Sequence, residues 1–265
     1  MKSGFRVTIL LLVFLVSTAR ADVLVLVHGY LSDGNDWVKS GVAQRLAQAG
    51  WSYAGQLQGV GGVIRLSGGH SGGDRRFFTV SLPDEAPLRV QAQWLAAYLS
   101  YIRPKNESER LILVGHSAGG LVARLTMVQH PELSVDTLVT IATPHLGTDR
   151  AELGLLAGNS PVGMLANMLG NQTLDRSRGL YTDLAPEQRG NLLFWLNRQE
   201  HPKARYVSIV RYGEGGLLGG DNTVPVWSQD MNRVAALRGR SEVVTLATGH
   251  GLVADDGKVL VKLVQ

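Results

Sequence analysis

The chain has 265 residues, 45% of them hydrophobic, which suits one domain with a sizeable core or at most two small ones. Its formal net charge is only +4, and the lysines and arginines are scattered, so it lacks the dense basic stripe of a nucleic-acid-binding protein. It contains no cysteine, which excludes disulfides and a cysteine-linked lipid anchor.

The N-terminus indicates a targeting segment. Two basic residues in MKSGFR precede an apolar run at residues 7–16, and Ala19-Arg20-Ala21 fits the small-x-small rule of signal peptidase. We predict that residues 1–21 are a signal peptide and that the mature protein is exported, to the periplasm or beyond it. An uncleaved anchor is the alternative, although the apolar run is short for a membrane span.

The first predicted strand, residues 23–27, is a continuous apolar run of the kind buried on both faces of a parallel sheet. The turn HGYLSDGND follows, and Asp36 caps a predicted helix that ends at Gly50. The apolar stripe of that helix is Val38, Val42, Leu46 and Ala49. The glycine-rich residues 55–73 then carry no predicted strand.

Strand and helix alternate through the middle of the chain. Residues 77–82 are a predicted strand, and a helix follows from about Pro83–Pro87 to Pro104. The apolar side of this helix is Leu88, Ala92, Leu95, Leu99 and Ile102. A strand at residues 111–114 leads into a second helix, which Pro131 ends. This alternation is typical of a parallel sheet.

Three further strands are predicted at residues 137–142, 205–210 and 243–247, and residues 258–264 are a predicted closing helix. The fold class is therefore α/β, with a mostly parallel sheet flanked by helices. Residues 150–200 interrupt the alternation with helical, Leu- and Met-rich sequence. We predict that this segment is an insertion rather than a second domain.

The pattern G-x-S-x-G, which marks a strained turn presenting a nucleophilic serine, occurs twice. Ser117 in GHSAGG lies between the strand-forming RLILV and the helix-forming GLVARLTMVQH. Ser71 lies among glycines, with no helical stripe behind it, and is predicted to be in a surface loop near the mouth of the site. Ser117 is therefore the predicted nucleophile.

A serine hydroxyl needs a base to take its proton, and the base needs an acid. After a nucleophile turn of this kind, the acid comes next in the chain and the histidine last. His250 follows a predicted strand, is flanked by glycines and is the predicted base. His145 is interpreted as a structural or pocket residue, and His201 as a surface residue.

Asp221 is the predicted acid because it follows the strand at residues 205–210 in GGDNTVPVWS. Asp230 and Glu214 are the alternatives. Two more candidates, Asp175 and Asp183, lie in the insertion, where no predicted strand positions them.

An oxyanion hole requires two N–H donors. One is the backbone N–H of the residue after the nucleophile, Ala118, and the other comes from the loop after an early strand. VHGYLSDG fits that loop, which makes the N–H of Tyr30 the second predicted donor.

The chain resembles the α/β-hydrolase superfamily, in particular its bacterial lipase and esterase branch. Five stretches carry this resemblance and occur in the family's order: VLVHGYLSDGNDW, LILVGHSAGGLVAR, TIATPHLGT, GDNTVPVWS and TGHG. The resemblance implies the roles given above for Ser117, Asp221, His250, Tyr30 and Ala118. It also implies that the insertion is a lid or cap.

We expect no cofactor. Asp255 and Asp256 lie near His250, but two acids supply few of the oxygens that calcium needs, so no metal site is predicted. The predicted function is hydrolysis of a small acyl ester or a lipid, with transient contact to a lipid surface and no obligate protein partner. Cleavage of a thioester, an amide or an envelope acyl group is the alternative, and a non-catalytic binding module is a second one.

Overall fold

A computed structural model describes residues 21–70, 72–103, 109–149, 176–213 and 220–265. The strands are β1 (Asp22–Val27), β2 (Ser52–Val60), β3 (Val63–Ser67), β4 (Arg75–Ser81), β5 (Arg110–His116), β6 (Thr137–Ile141), β7 (Arg205–Arg211) and β8 (Ser241–Leu246). The α-helices are α1 (Asp36–Lys39), α2 (Val42–Gln48), α3 (Leu88–Ile102), α4 (Ala118–Gln129), α5 (Arg178–Leu184), α6 (Leu192–Leu196), α7 (Val226–Gln229) and α8 (Ala254–Leu263).

Within these residues the strands form one sheet in the order β3-β2-β4-β1-β5-β6-β7-β8. β3 pairs antiparallel with β2, and every other neighbouring pair is parallel. The prediction of a mostly parallel sheet flanked by helices is confirmed. In such a sheet the loops that follow the strands gather at the carboxyl edge, where sites form.

The central strands are buried on both faces. In β1, Val23, Val25 and Val27 point toward the core under α3 and α4, whereas Leu24 and Leu26 point toward the core under α2 and α8. Each fully buried side chain of this size contributes about 1.5–3 kcal/mol of hydrophobic stabilisation. The apolar run of β1 therefore fixes the sheet between two helix layers.

The single helix predicted from Asp36 to Gly50 is wrong. The chain forms two helices, α1 and α2, separated at Gly41, whose φ of +84° is left-handed and incompatible with a continuous α-helix. Val38, predicted to face the core, is 49% exposed, and its neighbour Trp37 is buried instead.

The glycine-rich stretch also differs from expectation, because it contains β3 and most of β2. The two strands form a hairpin closed by the pair Val60 and Val63. The glycines weaken the local strand signal, but pairing of β2 with β4 holds the segment in the sheet.

Several expectations lie outside the described residues: the signal peptide up to residue 20, Ser71, and residues 150–175 of the predicted lid. The described remainder of the insertion contains α5 and α6, whose leucines are buried in the core under α3 and α4. Among the described residues, no helix has both the length and the apolar character needed to cross a membrane.

Candidate active site

Ser117 lies in a sharp turn between β5 and α4. Its backbone has φ 53° and ψ −128°, a conformation that serine rarely adopts, so the turn is strained. Its N–H donates to the carbonyl of Ile141, at the end of β6, over 2.8 Å. A Cβ at Gly119 would lie 2.2 Å from the carbonyl oxygen of His28, so only glycine allows α4 to begin there.

The residues predicted as base and acid lie beside Ser117. The Ser117 Oγ is 2.9 Å from Nε2 of His250, and Nδ1 of His250 is 2.8 Å from Oδ2 of Asp221. A carboxylate only accepts hydrogen bonds, so the proton of the neutral ring is assigned to Nδ1, and Nε2 accepts the hydroxyl proton. The structure therefore brings the three side chains into one hydrogen-bonded chain.

Asp221 is held by its own loop. It is 1% exposed, and its Oδ1 accepts the N–H groups of Thr223 at 3.0 Å and Val224 at 2.7 Å. The other oxygen is thereby left to face His250. A buried carboxylate with each oxygen hydrogen-bonded has little freedom to rotate, so it fixes the orientation of the ring.

The loop after β1 is fixed by His28. Nε2 of His28 accepts the N–H of Leu82 at 2.9 Å, and its Nδ1–H donates to the carbonyl of Gly29 at 2.9 Å. Burial lowers the pKa of His28, which keeps the ring in the neutral form that these two bonds require. The predicted donor Tyr30 therefore directly follows Gly29, whose carbonyl is held by His28.

Tyr30 and Ser117 both line an open cleft of about 470 Å³, together with His250 and Leu252. Neither the backbone N–H of Tyr30 nor that of Ala118 donates to another residue in the described part of the chain. Two such N–H groups near a serine hydroxyl are suited to stabilising an oxyanion. Their role stays a prediction.

Polar side chains also line the cleft. Ser32 Oγ donates to Oδ2 of Asp36 at 2.6 Å, and Nζ of Lys39 lies 3.3 Å from the other carboxylate oxygen. Partial burial raises the pKa of Asp36, but the hydrogen bonds from Ser32, Asp33 and Lys39 outweigh it and keep this pKa below its usual value. The lining of the site therefore includes both charged and apolar side chains.

Two other histidines have structural surroundings. Nη1 of Arg124 donates to Nδ1 of His145 at 3.2 Å, and Nε2–H of His145 donates to Thr140 Oγ1 at 3.1 Å, deep in the core. The surface position predicted for His201 is wrong: this residue is 3% exposed, packs edge-on against Tyr206 and has its pKa lowered by burial to about 3.

The alternative acids lie elsewhere. Asp230 caps the short 3-10 helix Met231–Arg233 through the N–H of Asn232, and Asp183 accepts the N–H of Leu88 at the start of α3. Glu214 and Asp175 lie outside the described residues. Among the described acids, Asp221 is the one that faces the ring of His250.

The two acids near His250 have partners of their own. Asp255 pairs with Lys258 at 2.7 Å on the surface of α8, and Asp256 pairs with the buried Arg211. In the part of the chain that the structure describes, no group of three or more histidine and acidic side chains is placed to hold a metal ion.

Two further residues touch His250: His116, which the sequence predicts to pack or hydrogen-bond at the site and not to act as the base, and Arg211, for which no role is predicted. Nε2–H of His116 donates to the backbone carbonyl of His250 at 2.8 Å, and burial keeps the pKa of His116 well below its usual value, so its ring is neutral. Nη1 of Arg211 lies 2.6 Å from the same carbonyl. The sequence signal for Arg211 was an arginine at the end of an apolar strand, but no residue nearby in the sequence indicates what it binds.

The strand order and this edge of the sheet are those of the α/β-hydrolase fold. The product of the gene lin2722 of Listeria innocua superposes with a TM-score of 0.63 over 92% of each chain, at 15% identity. The lipase BlEst2 of Bacillus licheniformis, in its mature form, gives 0.52 at 16% identity, over 93% of this chain and 91% of that one. At these identities the likeness shows the fold.

A family model described as a PGAP1-like alpha/beta domain matches residues 83–153. GPI inositol-deacylase of Candida albicans is 40% identical over 77 residues, which cover 26% of this chain and 20% of that protein. GPI inositol-deacylase B of Yarrowia lipolytica is 31% identical over 112 residues, covering 36% and 12%. The matches thus span a fifth or less of these relatives.

The matched region 83–153 contains Ser117 with the strand before it and the helix after it. It contains neither Asp221 nor His250. The expected membership of the bacterial lipase and esterase branch stays a prediction.

Proposed function

We propose that this protein is a serine hydrolase that cleaves carboxylic esters through an acyl-enzyme on Ser117. One observation carries the proposal: Ser117 Oγ, His250 and Asp221 form a continuous hydrogen-bonded chain, with links of 2.9 and 2.8 Å, beside an open cleft. A hydroxyl, an imidazole and a buried carboxylate in this arrangement are suited to acyl transfer.

In the first step, Ser117 Oγ attacks the ester carbonyl carbon while Nε2 of His250 takes the hydroxyl proton. The carbonyl oxygen becomes an oxyanion that accepts from the N–H groups of Tyr30 and Ala118. When the C–O bond to the alcohol breaks, the His250 imidazolium returns its proton to the leaving oxygen. Asp221 stabilises the imidazolium and remains ionised.

In the second step, a water molecule gives a proton to Nε2 of His250, and its oxygen attacks the acyl carbon. The bond to Ser117 Oγ breaks and that oxygen regains the proton from His250. The acid product leaves and the enzyme returns to its starting state. One ester and one water thus become one alcohol and one acid.

We propose a lipid or another acyl ester as the substrate class. The leucines and methionines of residues 150–170 suit a flexible acyl chain, and apolar side chains such as Leu252 lie at the cleft. A second candidate is removal of an acyl group esterified to a sugar or polyol headgroup. Two observations favour it: the two relatives are GPI inositol-deacylases, and the polar side chains of Ser32 and Asp36 line the cleft.

We also propose that the chain is exported and that residues 1–21 are removed. Edman sequencing of the protein from a cell envelope or medium fraction tests this. An N-terminus at Asp22 supports cleavage after Ala21, and retention of Met1 contradicts it.

Labelling with a fluorophosphonate tests the nucleophile. The wild type and Ser71→Ala should label at the same rate, and Ser117→Ala should not label. Ser71→Ala is the matched control, because it alters the other G-x-S-x-G serine. Labelling of Ser117→Ala, or none of the wild type, would overturn the proposal.

Nitrophenyl esters of increasing acyl length, an emulsified triglyceride and an acylated inositol phospholipid test the substrate class. A rising kcat/KM with chain length supports the lipid assignment. Preferential release of fatty acid from the inositol lipid selects the second candidate. A sharp preference for short soluble esters contradicts both.

A further inference from the structure

Arg211, the last residue of β7, is buried inside the protein, with its side chain 0% exposed. A buried guanidinium is costly unless a carboxylate and several acceptors surround it. What surrounds Arg211 is the loop that carries His250.

One nitrogen of the guanidinium binds the histidine loop, defined here as residues 249–251. Nη1 lies 3.0 Å from the carbonyl oxygen of Gly249, 2.6 Å from that of His250 and 2.6 Å from that of Gly251. Three consecutive carbonyls thus turn toward one cation. This fixes the backbone from which the His250 imidazole projects.

The other terminal nitrogen, Nη2, donates to Oδ2 of Asp256, which is also 0% exposed. The same carboxylate oxygen accepts the N–H of Val253 at 2.8 Å, at the start of α8. Arg211 therefore connects the histidine loop with the first turn of the helix that follows it.

The backbone of Arg211 is tied to the loop of Asp221. The side-chain carbonyl of Gln229 accepts the N–H of Arg211 at 2.7 Å, and its amide donates to the carbonyls of Arg211 at 3.0 Å and Val224 at 2.8 Å. Val224 in turn donates its N–H to Asp221. One residue at the end of β7 is thus connected to the loops of both the acid and the base.

We propose that Arg211 is a positioning residue, which sets the separation of His250 from Asp221 and Ser117 by binding three carbonyls of the histidine loop and the carboxylate of Asp256. The proposal rests on the proposed function, since it assigns Arg211 a part in that chemistry. Arginine suits this role because its planar fork reaches several acceptors at once, whereas the ammonium of lysine is a single point.

The first test compares Arg211→Met with the double variant Arg211→Met/Asp256→Asn. Arg211→Met alone leaves a buried carboxylate without its cation and should lower the urea midpoint. The double variant removes both charges and should regain most of that stability. In both variants kcat for a nitrophenyl ester should fall about 10²-fold, with KM changed less than about twofold, because the base is misplaced.

This comparison separates positioning from stability. If kcat returns to the wild-type value together with the urea midpoint in the double variant, Arg211 is only a structural residue and the proposal is overturned. Arg211→Lys should be intermediate in kcat, as one point charge cannot replace the fork. Arg205→Met is the matched control, because this arginine begins the same strand and pairs with Glu242 at the surface.

A second measurement does not depend on turnover. The low-field proton NMR signal of the His250 Nδ1–H, assigned by its absence in His250→Gln, should shift or broaden in the folded double variant and stay unchanged in Arg205→Met. An unchanged signal in the double variant contradicts the proposal. If the wild type itself fails to label with fluorophosphonate, the proposed function fails, whatever the NMR signal shows.

Discussion

The phenol oxygens of Tyr30 and Tyr181 lie 2.6 Å apart, and the Tyr30 hydroxyl also donates to Ser177 at 3.1 Å. The residue whose backbone N–H is proposed to stabilise the oxyanion is therefore bonded through its side chain to α5. This helix begins just after residues 150–175. The position of this proposed donor thus depends on the described part of the predicted lid insertion, residues 150–200.

A double-mutant cycle tests this coupling. Tyr30→Phe and Tyr181→Phe each remove the shared hydrogen bond, so their costs in unfolding free energy should not add. We expect a coupling of about 0.5–1.5 kcal/mol from urea denaturation. The kcat of Tyr30→Phe should fall by less than the 10²–10³-fold that loss of an oxyanion donor costs, since the N–H remains. Additive costs would show that the bond contributes nothing.

Asp221→Asn should lower kcat by about 10⁴-fold, because an amide can stabilise the wrong tautomer of His250 and carries no charge. Asp230→Asn is the matched control: this acid lies close in sequence but caps a 3-10 helix. It should change kcat by less than twofold. Steady-state hydrolysis of a nitrophenyl ester measures both, and a larger loss in Asp230→Asn would reassign the acid.

Gly119→Ala should abolish activity and destabilise the fold. The added Cβ would meet the carbonyl oxygen of His28 at 2.2 Å, and both partners are fixed backbone, one at the start of α4 and the other directly after β1. Overpacking of this kind costs about 1–3 kcal/mol or more. Gly72→Ala, where a Cβ meets nothing within 4 Å, should keep the wild-type melting temperature. A normal melting temperature for Gly119→Ala would contradict the tight turn.

Stability should fall as the pH falls below about 7. Burial lowers the pKa of four histidines, His28, His116, His145 and His201, so the fold keeps their rings neutral. The unfolded chain protonates them near pH 6.5 and binds more protons below that value. The loss approaches about 1.4 kcal/mol per pH unit for each ring between the unfolded pKa of about 6.5 and the folded pKa, which is about 3 for His201.

Urea denaturation between about pH 7 and pH 5 measures this slope. His201→Gln should reduce it by the contribution of one ring, because glutamine does not titrate. His130→Gln is the control, as His130 lies at the surface. An equal reduction in both variants would show that burial does not govern the slope.

Elements that carry their own pattern were predictable. The continuous apolar runs of β1, β5 and β6 and the apolar stripe of α3 indicate burial within a few residues of sequence. The candidate serine, acid and histidine could be selected because each follows a predicted strand. The break at Gly41 was not, because the apolar spacing continues across it. β2 was hidden because its glycines weaken a signal that pairing with β4 restores.

Contacts between distant residues account for the remaining misses. Arg211 closes an apolar strand, and its carboxylate partner lies 45 residues further along the chain. His201 follows a charged sequence, yet it is buried against Tyr206. No local pattern distinguishes these residues from a strand end exposed to solvent or a surface turn, since their environment is assembled by the fold.

The order of these residues along the chain has a consequence for synthesis. Ser117 is synthesised 133 residues before His250, which faces it. Arg211, which binds the histidine loop, is synthesised 45 residues before its partner Asp256. A nascent chain on the ribosome therefore contains Ser117 long before His250 can reach it. If the proposed chemistry holds, reactivity begins only after the segment from Asp221 to Asp256 has been made and has folded onto the sheet.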